Sequence, residues 1–144
     1  MIIPIESLSK DVQDDIVYLL SDEGLDVSRE DPQTVRDNLI GLKPSTPVVL
    51  KDVDPVLMKK QFGKYREISR SNVHHLKSLI ESGVKLDPII TSNGRFLDGG
   101  HRVIAFIELK IKKIPAVDIG HLVEMNWKKW LAGDDVKFNL KGRA

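Results

Sequence analysis

A chain of 144 residues has the length of one domain of ordinary size, and its 41% hydrophobic and 30% charged residues suit a core with a soluble surface. No apolar run approaches the roughly 18 residues that a membrane-spanning helix needs. Met1-Ile2-Ile3-Pro4 starts no signal peptide, and the absence of cysteine excludes disulfides, thiolate metal sites and cysteine nucleophiles, so the expectation is a cytoplasmic protein with no membrane partner.

The net charge of +1 conceals an asymmetry. Residues 1–46 carry 10 acidic and 4 basic side chains, a balance of −6, whereas residues 47–144 carry 11 acidic and 18 basic ones, a balance of +7. In the acidic part, Leu8, Val12, Ile16, Leu19 and Leu20 recur at helical spacing and predict a helix over Ser7–Leu20, with Asp14 and Asp15 on its other face. Asp31-Pro32 pairs an N-cap with a proline at the first helical position and predicts a second helix through Val35, Leu39 and Ile40 to Gly41. The turn Lys43-Pro44-Ser45-Thr46-Pro47 marks a boundary. These helices either cover one face of the core, or form a lid or a phosphate-like face toward a partner.

Beyond the boundary, β-branched Val48–Val53 predicts a strand, and Asp54–Ser69 reads as irregular and basic, with a helical turn around Val56–Lys60. Val73, Leu76, Leu79 and Ile80 predict a helix over Ser71–Ser82, capped by Ser71 or Asn72 and stopped by Gly83. Pro88–Thr91 and Arg95–Leu97 predict a hairpin about Ser92-Asn93-Gly94. A helix from Gly100 to Lys110, a strand over Ile114–Ile119 and a last helix over His121–Leu131 complete the series. The expected fold class is α/β (α+β), a small mixed sheet with helices and an N-terminal helical extension. The expected divisions are 1–46, an acidic helical extension; 47–119, the core; and 120–144, a C-terminal helix and basic tail.

Phe96-Leu97-Asp98-Gly99-Gly100-His101-Arg102 carries the chemistry. A strand ends, two glycines permit close approach of backbone, and a helix begins with His101 and Arg102 in its first turn. The first N–H groups of a helix lack internal partners and carry partial positive charge, and an arginine there can offer phosphate a bidentate fork. Asp98 has the wrong sign for simple phosphate binding and suits a Mg2+ ligand or a base that takes a hydroxyl proton. The plainer alternative is a strand-to-helix turn that needs glycine for geometry, with Asp98 as N-cap.

Asp98-Gly99-Gly100-His101-Arg102, the hairpin before it and Ile114-Pro115-Ala116-Val117 after it resemble the ParB/sulfiredoxin superfamily over roughly residues 48–119. Sulfiredoxins carry a catalytic cysteine where this chain has Gly100, so that activity is excluded. The CTP-binding box of ParB proteins, Gly-Glu-Arg-Arg-x-Arg-Ala, is matched at Gly99, Arg102 and Ala105, with His101 and Ile104 replacing arginines. Free serine kinases carry Asp-Gly-His-His-Arg, matched at four of five positions. The resemblance implies a nucleotide cofactor, ATP or ADP or else CTP, held with Mg2+ at Gly99, Gly100, His101 and Arg102, and a phosphotransferase or NTPase activity. In that branch a glutamate lies before the first core helix, and the resemblance implies Glu67 as catalytic base with Asp98 at the metal or the transferred phosphoryl group. Glu67 is otherwise a surface residue of a charged loop.

A second class of function, a binding module without catalysis, rests on the basic residues. Lys59, Lys60, Lys64, Arg66 and Arg70 lie close in sequence, Lys110, Lys112 and Lys113 follow, and a shared face would attract DNA, with Phe62 and Tyr65 able to stack on bases. His74 and His75 are adjacent, hence about 100° apart on a helix, and cannot chelate one metal. Trp127 and Trp130, with Val123 and Leu131, form an apolar stripe suited to a core or a homodimer contact.

Overall fold

In a computed structural model of the chain, the residues described are 1–23, 43–62 and 67–125, with Phe138 and Leu140. The helix expected after Asp31-Pro32, the residues Lys64, Tyr65 and Arg66, and the Trp127–Leu131 stripe lie outside them. Contacts divide the chain into two compact units, Leu50–Asp118 and Met1–Val49 with Ile119–Ala144. Five strands form one mixed sheet: β1 (Ile2–Pro4), β2 (Pro47–Val53), β3 (Ile89–Ser92), β4 (Arg95–Asp98) and β5 (Ile114–Asp118), in the order β1-β2-β5-β3-β4. The fold class is therefore α+β, and no described helix is long and apolar enough to cross a membrane.

In the unit that holds the termini, β1 pairs antiparallel with β2, Ile2 opposite Val49 and Pro4 opposite Pro47. Three residues ending in proline are too short to show a period, which is why β1 is invisible in the sequence. Helix α1 (Lys10–Glu23) starts later than the spacing predicts. A 3-10 turn occupies Ile5–Ser7, and Ser9 Oγ accepts the Val12 N–H at 3.2 Å, a serine cap. Val12, Ile16 and Leu20 are its buried stripe. His121 is buried: its Nε2 lies 2.6 Å from the Pro47 carbonyl oxygen and its ring stands edge-on to Phe138.

The unit Leu50–Asp118 contains α2 (Pro55–Phe62), α3 (Arg70–Glu81) and α4 (Gly100–Glu108) besides β3, β4 and β5. Segment 54–62 is helical over eight residues, where only one turn was expected. Asp54-Pro55 is the same cap-plus-proline pair as Asp31-Pro32; Asp54 Oδ1 accepts the Val56 N–H at 2.8 Å. Burial of Met58 and packing of Phe62, whose ring centroid lies 4.8 Å from that of Phe96, stabilise the remaining turns. Helix α3 is capped by Ser69, not by Ser71 or Asn72: Ser69 Oγ accepts the Asn72 N–H. Three cap-competent residues compete in Ser69–Asn72, and a bond from Ser69 N–H to α4 selects the first.

Helix α4 is apolar on two faces because it is buried on two. Val103 packs with Met58, Ile89, Phe96, Ile114 and Ala116, while Ile104 and Ala105 pack with Val73 of α3. The hairpin follows the sequence reading, with Asn93 at φ +51° and Gly94 at φ +83°, the left-handed pair of a type I′ turn. Buried Asp118 on β5 holds it: the carboxylate accepts the Thr91 hydroxyl at 2.8 Å and the N–H groups of Asn93 and Gly94 at 3.1 and 3.0 Å.

Candidate functional site

The pairing of β3 with β4 slips by one residue just before the turn, so that Thr91 faces Phe96 but Ile90 faces Asp98. The extra residue is a bulge, which bends the strand end and redirects the chain into α4. Gly99 follows at φ +112° and is the N-cap residue, in place of the Asp98 cap considered from sequence. A Cβ at position 99 would lie 2.5 Å from Ile89 Cγ2 and 3.0 Å from Arg102 Nη2. Glycine is required there both for backbone conformation and for contact with β3. No side chain caps α4.

Arg102 does not project freely. Its Nη1 donates to the carbonyl oxygens of Asp87 and Pro88 at 3.0 and 2.9 Å, and Nη2 lies 3.8 Å from Asp98 Oδ2. The guanidinium thereby ties the first turn of α4 to the segment entering β3. His101 Nε2 accepts the Ser69 N–H at 3.0 Å, which assigns the ring as the Nδ1–H tautomer and fastens the start of α3 to the start of α4. Glu67 is exposed and stands two residues before that bond, so its segment is anchored at the turn through Ser69. Asp98 is half-buried.

The structure thus brings together Asp98, Gly99, Gly100, His101, Arg102 and the segment that carries Glu67. The basic residues are distributed differently. Lys59 and Lys60 are exposed on the last turn of α2. Arg70 is engaged with Glu108 at the end of α4 through Nη1–Oε2 at 2.6 Å and Nη2–Oε1 at 2.9 Å, and Lys77 Nζ joins the same carboxylate at 3.2 Å. The hydrogen bond from Arg70, then that from Lys77, hold the Glu108 carboxyl at about 2, well below its ordinary range, against the opposing effect of desolvation. Among the described residues no group of three or more His, Asp or Glu could hold a metal ion.

Several organising residues escape sequence reasoning. Gln61 of α2 accepts the Phe96 N–H at 2.7 Å through Oε1 and donates to the Gly94 carbonyl at 3.3 Å, clamping the hairpin from 33 and 35 residues away. Asp118 acts on partners 24 to 27 residues away and the carbonyls of Asp87 and Pro88 on Arg102, 15 and 14 residues later, and no local pattern marks them.

No protein-family model matches the sequence, and no curated protein matches it. Among solved structures, a Pnob8-like ParB-N domain is similar over 49% of this chain, at 18% sequence identity and a TM-score of 0.40. The match spans 29% of that chain, so this protein covers less than a third of the length of the structure it resembles. The α+β fold itself rests on the strand order and helices described above.

Proposed function

We propose that the chain is a ParB-like nucleotide-binding module that holds a phosphate group at Gly99–Arg102 and couples it to DNA or a partner protein. ATP or ADP are the first candidates, CTP the next, with Mg2+ carried on the phosphates and met by Asp98. The observation that supports it is the start of α4: a left-handed Gly99 delivers the chain into a helix whose first-turn N–H groups keep no side-chain cap, and such N–H groups with the helix dipole attract anions. Engagement of His101 Nε2 with the Ser69 N–H favours binding over catalysis, because a ring nitrogen held in a structural bond is not free to move a proton.

The test is a thermal-shift series with ATP, ADP, CTP and GTP, with and without Mg2+, on the wild type and on Asp98→Asn. A ligand present at a hundredfold its dissociation constant stabilises by about 2.7 kcal/mol, an easily read shift. One nucleotide should raise Tm, and Asp98→Asn should remove only the part that depends on Mg2+. No shift with any nucleotide rejects the proposal. A phosphotransferase or NTPase with Glu67 as base is the second reading, supported by the Ser69–His101 bond that anchors the Glu67 segment at the turn. Turnover of γ-labelled ATP that is abolished by Glu67→Gln while the thermal shift survives would select it.

A further inference from the structure

The unit Leu50–Asp118 has a recessed surface at the other end of α4 from the sequence motif. A depression of about 410 Å³ lies between the start of α2 and the end of α4, with Pro55, Val56, Ile107 and Ile111 as apolar lining and Lys110 and Lys112 as cations. Val56 is 47% exposed, and its neighbour Leu57 is 53% exposed, so apolar surface continues beyond the depression. The lining carries one acid, Asp54, whose Oδ1 accepts the Val56 N–H at the start of α2, against the two lysines. Neither lysine makes an ion pair or a side-chain hydrogen bond among the described residues.

The backbone at Lys110 is a second, independent observation. Helix α4 ends in a Schellman motif: Ile111 N–H donates to the Phe106 carbonyl at 2.9 Å and Lys110 N–H to the Ile107 carbonyl at 3.0 Å. Helix α3 ends in the same motif, with Val84 to Leu79 at 2.9 Å and Gly83 to Ile80 at 3.0 Å. The left-handed position is Gly83 at φ +89° in α3 but Lys110 at φ +60° in α4. Glycine adopts that conformation without strain and lysine does not. The molecule thus places a strained lysine at the edge of an apolar depression where its own α3 uses glycine, a pattern of strain kept where a side chain serves a purpose.

We infer that this depression docks an acidic peptide segment of a partner protein, with one apolar side chain on Pro55, Val56, Ile107 and Ile111 and flanking carboxylates on Lys110 and Lys112. The apolar floor suits a side-chain anchor rather than a phosphate backbone, and the paired cations suit carboxylates on either side of it. The inference is independent of nucleotide binding at Gly99–Arg102.

The test uses fluorescence polarisation with an array of short peptides in which a central Leu, Phe or Trp is flanked by Asp or Glu, beside neutral counterparts with Asn and Gln and counterparts with Ala at the anchor. Lys110→Gly is the decisive variant, because it removes the cation while relieving the backbone. It should keep or raise Tm and bind acidic peptides about tenfold more weakly, the loss expected of a charge-assisted contact. Val56→Asp should weaken the same peptides, and added salt should weaken wild-type binding. No binding by any acidic peptide overturns the inference, as does equal binding by wild type and Lys110→Gly. Binding of duplex DNA that depends on Lys110 and Lys112 while the peptides do not bind would assign the surface to nucleic acid instead, and would also overturn it.

Discussion

Gly99→Ala tests the geometry of the turn most directly. Two costs act at that position. The backbone sits at φ +112° and ψ 29°, which an L side chain rarely adopts, and such strain costs about 1–3 kcal/mol. The new Cβ would also lie 2.5 Å from Ile89 Cγ2 and 3.0 Å from Ile89 Cβ. Ile89 is fully buried on β3, which pairs with β4 and β5, so it cannot retreat. Overpacking of that kind costs about 1–3 kcal/mol, and the two together predict a loss of about 2–6 kcal/mol. Gly94→Ala is the control: Gly94 has φ +83° but nothing within 4 Å of a new Cβ, so only the strain remains. Urea unfolding of both variants, followed by circular dichroism, should place Gly99→Ala about 1–3 kcal/mol below Gly94→Ala. Ile89→Leu removes the offending Cγ2 at nearly constant volume and should recover part of the difference, read as a coupling energy in a double-mutant cycle. Equal stabilities for the two alanine variants, or a strictly additive cycle, would refute the account of Gly99 as a packing requirement.

Two further expectations concern groups that hold the same unit together. Thr91→Val keeps the side-chain shape and removes the hydroxyl that donates to buried Asp118, so it should lower unfolding free energy by about 1–3 kcal/mol in urea titrations; a neutral result would mean that Asp118 is satisfied without it. Glu108→Gln addresses pH. The Glu108 carboxyl titrates at about 2 when folded, against an ordinary value of 4.5. A lowered folded value means that its stabilising contribution is complete above about 4.5 and is lost as pH falls through about 2. The wild type should therefore lose Tm more steeply than Glu108→Gln between those limits, and the two should run parallel above pH of about 5. The gap should be small and should shrink in high salt, because Arg70, Lys77 and Glu108 all remain partly exposed. A pH-independent gap would rule out the ion pairs as its source.

Local chemistry wrote most of the secondary structure into the sequence. The Asn93-Gly94 turn is legible because its left-handed pair depends on those two residues alone, and Gly83 ends α3 for the same reason. The helical turn read around Val56–Lys60 is the middle of α2, whose full length to Phe62 shows only once Met58 and Phe62 are seen to pack. The motif Asp98–Arg102 was equally visible, while the work its side chains do was not. Arg102 looks like a phosphate fork in sequence, yet its Nη1 donors are directed to carbonyls 14 and 15 residues earlier in the chain. His101 accepts from Ser69, 32 residues away, and Arg70 meets Glu108 across 38 residues.

Sequence alone determined most of the helices and strands, though not all of their starts, and where the charge changes sign, since those follow from residue types within one or two turns of chain. Only the tertiary structure decided which polar groups are engaged inside the fold and which remain exposed to solvent. A hydrogen bond is fixed by positions in space, and residues tens of places apart acquire such positions only when the sheet and helices have packed.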